Sequence, residues 1–290
     1  MTALLVTRFS TARDFLGAAV KFLTRDEVEN NLILGISMDL AADSSGLMDR
    51  PYFAVVTRAG EVCMAGFGTI PGKLAITGET VPGAASALCR DVHDAIPNLD
   101  SILGPDATVA AFARELALLR GLRTEVRMRQ RIHQLVKVES LPGLPSGRLR
   151  QAGADDRPLL VDWLGTFQAE IGEPAPVNRT VAHRLAGGEL FLWDDNGPRS
   201  MAGWSGPTPN GVRVNAVYTP RELRGRGYAT ATVAALSHML LERGYRFCCL
   251  YTDLANPTSN AIYRRIGYRA VCDNSVFALM DGKQDSTAPG

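Results

Sequence analysis

Apolar residues recur along the first half of the chain with two different periods, and each change of period marks an element. From Ala12 to Leu23, Phe15, Leu16, Ala19, Phe22 and Leu23 fall at helical spacing, and a second helix is predicted over Glu27 to Leu40. Tyr52 to Arg58 and Val62 to Thr69 read as strands separated by an Ala59-Gly60 turn. Ala84 to Ala95 reads as a helix. Asp106 to Leu119 reads as another, with Gly104-Pro105-Asp106 as break and cap and Val109, Phe112, Leu116 and Leu119 as its apolar stripe. Arg123 to Val138 is mostly strand-like, with Val126, Met128 and Ile132 on one side and Arg127, Arg129 and Arg131 on the other. Those arginines read either as a solvated strand face or as a phosphate-binding stripe.

The second half is more regular. Gly147 to Ala152 is predicted as a short strand and Asp155 to Ile171 as a helix whose buried stripe is Leu159, Leu160, Trp163, Leu164 and Phe167. A helix over Asn178 to Ala186 follows. Glu189 to Trp193 and Ser200 to Ser205 form a strand pair about the turn Asp194-Asp195-Asn196-Gly197. Val212 to Tyr218 is a strand, and Ala229 to Arg243 a long helix ending at Gly244. Phe247 to Thr252 is a strand, Ser259 to Ile266 a helix, and Tyr268 to Leu279 a last strand. The order is β-α-α-β-β-β-α-β-α-β, and its late alternation predicts that part of the sheet is parallel. Two prolines and two glycines within Leu141 to Gly147 mark a boundary between a domain at 1–140 and one at 148–280. The polar tail, 281–290, is expected to be frayed.

Composition narrows the function. The chain has 290 residues, with 31 basic against 30 acidic side chains. A net charge of +1 gives no support to nucleic-acid or anionic-membrane binding as a partner. No apolar run approaches the ~18–20 residues of a membrane span, and residues 1–10 lack the features of a secretory signal. The five cysteines include no C-x-x-C pair, and the four histidines show no metal-ligand spacing. A reducing cytoplasm is the expected compartment, and no metal is expected.

Chemistry concentrates between Val212 and Tyr228. A strand runs out through Val217, Tyr218 and Thr219 and meets Arg224-Gly225-Arg226-Gly227-Tyr228-Ala229 at the start of a helix. Two glycines let the backbone approach a ligand, and the first helical turn offers unpaired N–H groups and a partial positive charge, which suits a phosphate. The third glycine of a dinucleotide fingerprint and the Gly-Lys-Ser/Thr of a Walker loop are both missing. A structural loop that uses two glycines for its turns is the alternative.

The next strand leads to Asn256, Asn260, Tyr263, Gly267 and Tyr268. With these segments in this order, the chain resembles the GNAT N-acetyltransferase superfamily. The family's phosphate motif, Q/R-x-x-G-x-G/A, is met by Arg224, Gly227 and Ala229, and its later Asn and Asn-x-x-x-Tyr segment by Asn256, Asn260 and Tyr263. The resemblance covers roughly Gly147 to Leu279. The N-terminal half looks like a degenerate copy, with no R-x-x-G-x-G/A, as in tandem members. The implied fold is α/β: two GNAT-like domains, each a mixed, mostly antiparallel twisted sheet flanked by helices, with a splayed strand pair in the C-terminal one.

The resemblance implies acetyl-CoA, or another acyl-CoA, as co-substrate and an amine as acceptor, either a small molecule or a peptide. Gly225 to Ala229 would hold the pyrophosphate, with Arg224 and Arg226 adding charge. Val217, Tyr218 and Thr219 would bind the pantetheine as an extra strand does. Asn256 and Asn260 read either as cofactor contacts or as turn and cap residues. Tyr263 is the candidate acid for the leaving thiolate, or else a core aromatic. Glu170, Glu173, Glu189 and Asp253 are candidate bases, with Glu170 foremost. Transfer would proceed by direct attack in a ternary complex; a non-catalytic acyl-CoA-binding module is the alternative. A homodimer is among the assemblies left open.

Overall fold

The computed structural model describes residues 2–42, 51–69, 72–172 and 176–281. Its N-terminal half runs β1 (Leu4–Phe9), α1 (Ala12–Leu23), α2 (Asn31–Ala42), β2 (Tyr52–Arg58), β3 (Glu61–Gly68), β4 (Gly72–Ile76), α3 (Ala84–Ala95), β5 (Leu99–Pro105), α4 (Asp106–Arg120) and β6 (Leu122–Leu135). The C-terminal half repeats that order: β7 (Arg148–Gln151), α5 (Arg157–Ile171), α6 (Val177–Ala186), β8 (Leu190–Asp194), β9 (Pro198–Ser205), β10 (Gly211–Tyr218), α7 (Tyr228–Glu242), β11 (Phe247–Asp253), α8 (Pro257–Ile266) and β12 (Arg269–Asp281). The repeat confirms that the N-terminal half is a second copy of the fold. It adds three strands that periodicity did not reveal: β1, β4 and β5. β4 is only five residues long, and β2 to β5 are largely buried on both faces, which removes the alternation of apolar and polar positions. The tail, 282–290, and Glu173 lie outside the described residues.

All strands join one sheet in the order β1-β2-β3-β4-β5-β12-β6-β11-β10-β9-β8-β7. Only β4–β5 and β10–β11 are parallel. At the centre the halves exchange strands. β12 lies between β5 and β6, and β6 lies between β11 and β12. Each half thus places its last strand inside the other.

Strand alternation feeds two helical layers. Phe53, Val55 and Phe67 pack under α1 and α2, whereas Tyr52, Ala54 and Val56 pack under α3 and α4. In the second half, Leu190 and Leu192 face α5 and α6, and Phe191 faces α7. The second helix begins at Asn31 rather than Glu27, because 24–30 form turns that tie the halves together. Buried Glu27 accepts from Asn210 N and Nδ2 at 2.7 Å each, and Asn30 Nδ2 donates to Leu23 O at 3.1 Å. A Cβ on Gly35 would lie 2.5 Å from the Gly206 carbonyl oxygen, so only glycine lets α2 sit this close to the second half.

The arginines of β6 do not share one face. A register shift at Arg127 turns it away from its strand neighbours, and its guanidinium donates to Gly172 O. Arg131 points to the other side and makes a bidentate pair with Asp273 at 2.6 and 2.8 Å. Among the described residues no helix is long and apolar enough to cross a membrane, and no three His, Cys, Asp or Glu side chains could hold a metal ion.

Candidate active site

β10 and β11 are paired only at Gly211–Phe247, Val212–Cys248 and Arg213–Cys249. Beyond that they separate, because each is held by a different neighbour. β10 carries a bulge between Asn215 and Tyr218, with Ala216 at φ 50°, and re-pairs with β9 at Tyr218–Met201. Ser200 Oγ donates to Tyr218 O at 3.0 Å and receives Thr219 Oγ1 at 2.9 Å, which fastens the outgoing end of β10 to β9. β11 remains paired to β6 from Cys248 through Asp253. One wall of the resulting slot is therefore backed by a strand of the N-terminal half. The slot runs along Val217, Tyr218 and Thr219, and the strand edge there offers N–H and C=O groups to an extended ligand.

Beyond Pro220 a single 3-10 turn leads to Arg224-Gly225-Arg226-Gly227. Gly225 and Gly227 have φ 78° and 83°, the left-handed region that glycine enters without strain. Gly227 is the N-cap of α7 and offers no side-chain cap. The first helical bond runs from Ala231 N to Gly227 O, so the N–H groups of Tyr228, Ala229 and Thr230 precede the ladder. A Cβ on Gly225 would meet no atom within 4 Å, which leaves open space beside those donors. A pyrophosphate fits this cradle. Tyr228 is turned away from it, with its hydroxyl on Asp195 Oδ2 at 3.0 Å, and the Arg226 guanidinium donates to Glu222 O.

Arg224 is held from three sides. Its Nε donates to Thr219 O at 2.9 Å, its guanidinium lies 5.7 Å from the centre of the Tyr218 ring, and its Nη2 reaches both Glu170 oxygens at 3.0 and 2.9 Å. Arg221 adds a bond to Glu170 Oε1 at 3.2 Å. Desolvation pushes the Glu170 carboxyl up, but the bonds from Arg224 and Arg221 outweigh it and leave the pKa below the ordinary carboxylate value. Glu170 at the end of α5 is thus an acceptor engaged by two cations. The other two described candidate bases are engaged as well. Glu189 pairs with Arg184 at 3.3 Å, and Asp253 Oδ1 accepts from Ala255 N at 2.8 Å.

Asn256 caps α8 through Ser259 N at 3.0 Å. Asn260 donates to Asp253 O and Asn256 O at 3.0 and 2.8 Å, and its Oδ1 receives Thr252 Oγ1 at 2.7 Å. Both side chains therefore shape the passage from β11 into α8. Tyr263 stands on α8 in the core shared by α7, β10 and β11, edge-on to Tyr268 with ring centres 5.9 Å apart. Burial alone raises its phenol to about 12, so it stays protonated at neutral pH. Cys248 and Cys249 are buried, and desolvation raises both thiols to about 12, which disfavours a thiolate there at neutral pH.

The equivalent place in the N-terminal half is closed. β4 and β5 stay paired through Ala75–Leu103, one residue from the end of β4. A Cβ on Gly104 would lie 2.7 Å from Ile76 Cγ1, so the two strands touch where the other pair opens. Helix α3 also starts at a left-handed glycine, Gly83, but Glu79 Oε2 accepts from Ala85 N at 2.9 Å. A carboxylate of the chain itself occupies the helix N-terminus where a phosphate would bind.

Residues 193–278, from the end of β8 to β12, match the family model described as FR47-like protein. The chain matches no curated protein. Among solved structures it is similar to a GCN5-related N-acetyltransferase from Sphaerobacter thermophilus (17% identity, 95% of each chain covered, TM-score 0.59). It is also similar to a Drosophila protein from a structural genomics programme (15% identity, 98% and 100% covered, TM-score 0.68) and to a tandem GNAT protein from the clavulanic acid biosynthesis pathway (14%, 98% and 100%, 0.56). Over nearly its whole length the chain shares the fold of these structures, and the FR47-like match falls on its C-terminal half. The opened strand pair lies in the half that carries the FR47-like match, and its counterpart in the other half is closed.

Proposed function

We propose that the chain is an acetyl-CoA-dependent N-acetyltransferase that acetylates a primary amine by direct attack in a ternary complex, with the C-terminal half carrying the reaction. The observation that carries this reading is the opening of β10 from β11 directly ahead of the Gly225–Ala229 cradle. The backbone of Gly225 to Ala229 binds the pyrophosphate, and the free edge of β10 binds the pantetheine amides. The neutral amine attacks the thioester carbonyl; the C–N bond forms, the C–S bond breaks, and the leaving sulfur takes a proton from the Tyr263 hydroxyl. The amine proton leaves through water, since Glu170, Glu189 and Asp253 are already engaged. The same engagement favours the second reading, an acyl-CoA-binding module without turnover. Isothermal titration with acetyl-CoA tests the donor site. Wild type is expected to bind saturably. Gly225→Glu, which aims a carboxylate at the cradle, is expected to weaken binding at least about 30-fold while the far-ultraviolet spectrum stays native. A folded wild type that does not bind acetyl-CoA overturns the proposal; binding without turnover on any amine leaves the module.

A further inference from the structure

A cavity of about 300 Å³ lies across the junction of the two halves, on the sheet face opposite α7 and α8. Its walls come from both halves: Leu32 and Ile36 of α2, Lys73 of β4, Arg127 of β6, Arg213 of β10 and Tyr251 of β11. Arg213 is the last β10 residue paired to β11, and Tyr251 lies on β11 just past its own last paired residue, Cys249. The cavity therefore lies at the closed end of the slot, where β10 and β11 part, away from the phosphate cradle. Three basic side chains line it, and no acidic one does so among the described residues. The Arg213 guanidinium donates to Asn31 Oδ1 at 3.1 Å and Ser205 Oγ at 3.3 Å and also interacts with the Asp39 carboxylate of α2. The remaining wall is largely apolar, with Phe67, Leu74 and Val276 beside the α2 side chains.

We infer that this cavity is the acceptor site and that the acceptor is an amine carrying a carboxylate on a small apolar body, in the manner of an aliphatic amino acid. This rests on the acetyltransferase reading above. The apolar wall takes the body, and Lys73 and Arg127 take the carboxylate by charge-assisted hydrogen bonds. The same positive surroundings disfavour the ammonium form, which helps to present the amine neutral at the slot. The N-terminal half then acts as the specificity half: it has lost its own cradle and supplies α2 and Lys73 to the site of its partner half.

N-acetyl-L-leucine and N-acetyl-L-leucinamide serve as product-side probes that differ only in the carboxylate. Calorimetry on the full chain in the presence of CoA is expected to show the acid binding about tenfold more tightly than the amide. Lys73→Gln and Arg127→Gln are each expected to weaken the acid about fivefold, with the amide and acetyl-CoA unchanged. Equal binding of acid and amide, no binding of the acid up to about 20 mM while acetyl-CoA binds, or an acid affinity untouched by both substitutions would each overturn the inference. Selective binding of the acid by a protein that ignores acetyl-CoA would uphold the anionic site and remove the donor reading alone.

Discussion

Glu170 and Tyr263 are the candidate base and acid of the proposed chemistry, and their surroundings assign them different work. Glu170 spends both oxygens on Arg224 and Arg221, so it positions the start of the Gly225–Gly227 loop. Glu170→Gln is expected to raise the KM for acetyl-CoA about threefold with kcat nearly unchanged, the scale of a half-exposed ion pair. A general base would instead cost about 10²–10⁴ in kcat. Tyr263→Phe is expected to lower kcat about 100-fold at constant acetyl-CoA affinity. Because burial raises the phenol to about 12, the acid form is lost only as pH climbs through that value. Steady-state rates of wild type should therefore stay flat on the alkaline side up to pH of about 10. The glycines of the cradle were legible in the sequence, since an open left-handed loop at a helix start leaves few other choices. The Glu170–Arg224 pair was not, because 54 positions separate the partners and nothing local announces it. Ala216, which adopts φ 50° in the bulge, gave no signal either, because alanine does not advertise a left-handed backbone.

Among elements, the two β-loop-α units at β4–α3 and β10–α7 share one order and differ in whether the strand pair and helix N-terminus are open. Three changes separate them: strands zipped at Ile76–Gly104, a shorter loop, and Glu79 on the helix N-terminus. Removing only the last does not reopen the slot. Glu79→Ala is expected to lower Tm by about 2–4 °C, as a lost capping bond does. Titration should still show one acetyl-CoA per chain; a second binding event would mean that the carboxylate alone closes the first half. The helix order of the second half was legible because its stripes and terminal glycines are long and regular. The first half was legible only in part. β4 and β5 lie between two helical layers and lack alternation, and the buried polar turn at Glu27 and Asn30 has apolar neighbours that mimic a helix.

For the molecule as a whole, the exchange of β6 and β12 decides how stability is shared. Each half's sheet is completed by the other's strand, and the Glu27–Asn210 bonds add a second tie. Urea unfolding followed by tryptophan fluorescence, which reports the second half through Trp163, Trp193 and Trp204, should coincide with unfolding followed by amide exchange in β2 and β3. Two separated transitions would show that the halves stand alone. The boundary at 141–147 is a break in composition, and the sheet does not break there.

The same exchange sets an order of events during synthesis. β12 comes more than 160 residues after β5, yet it is the neighbour that β5 requires. While the second half is still being translated, the first half has an open sheet edge at Leu99–Pro105. A nascent chain of this kind keeps that adhesive edge bare until β12 has emerged, so its dependence on chaperones should fall once the second half is out.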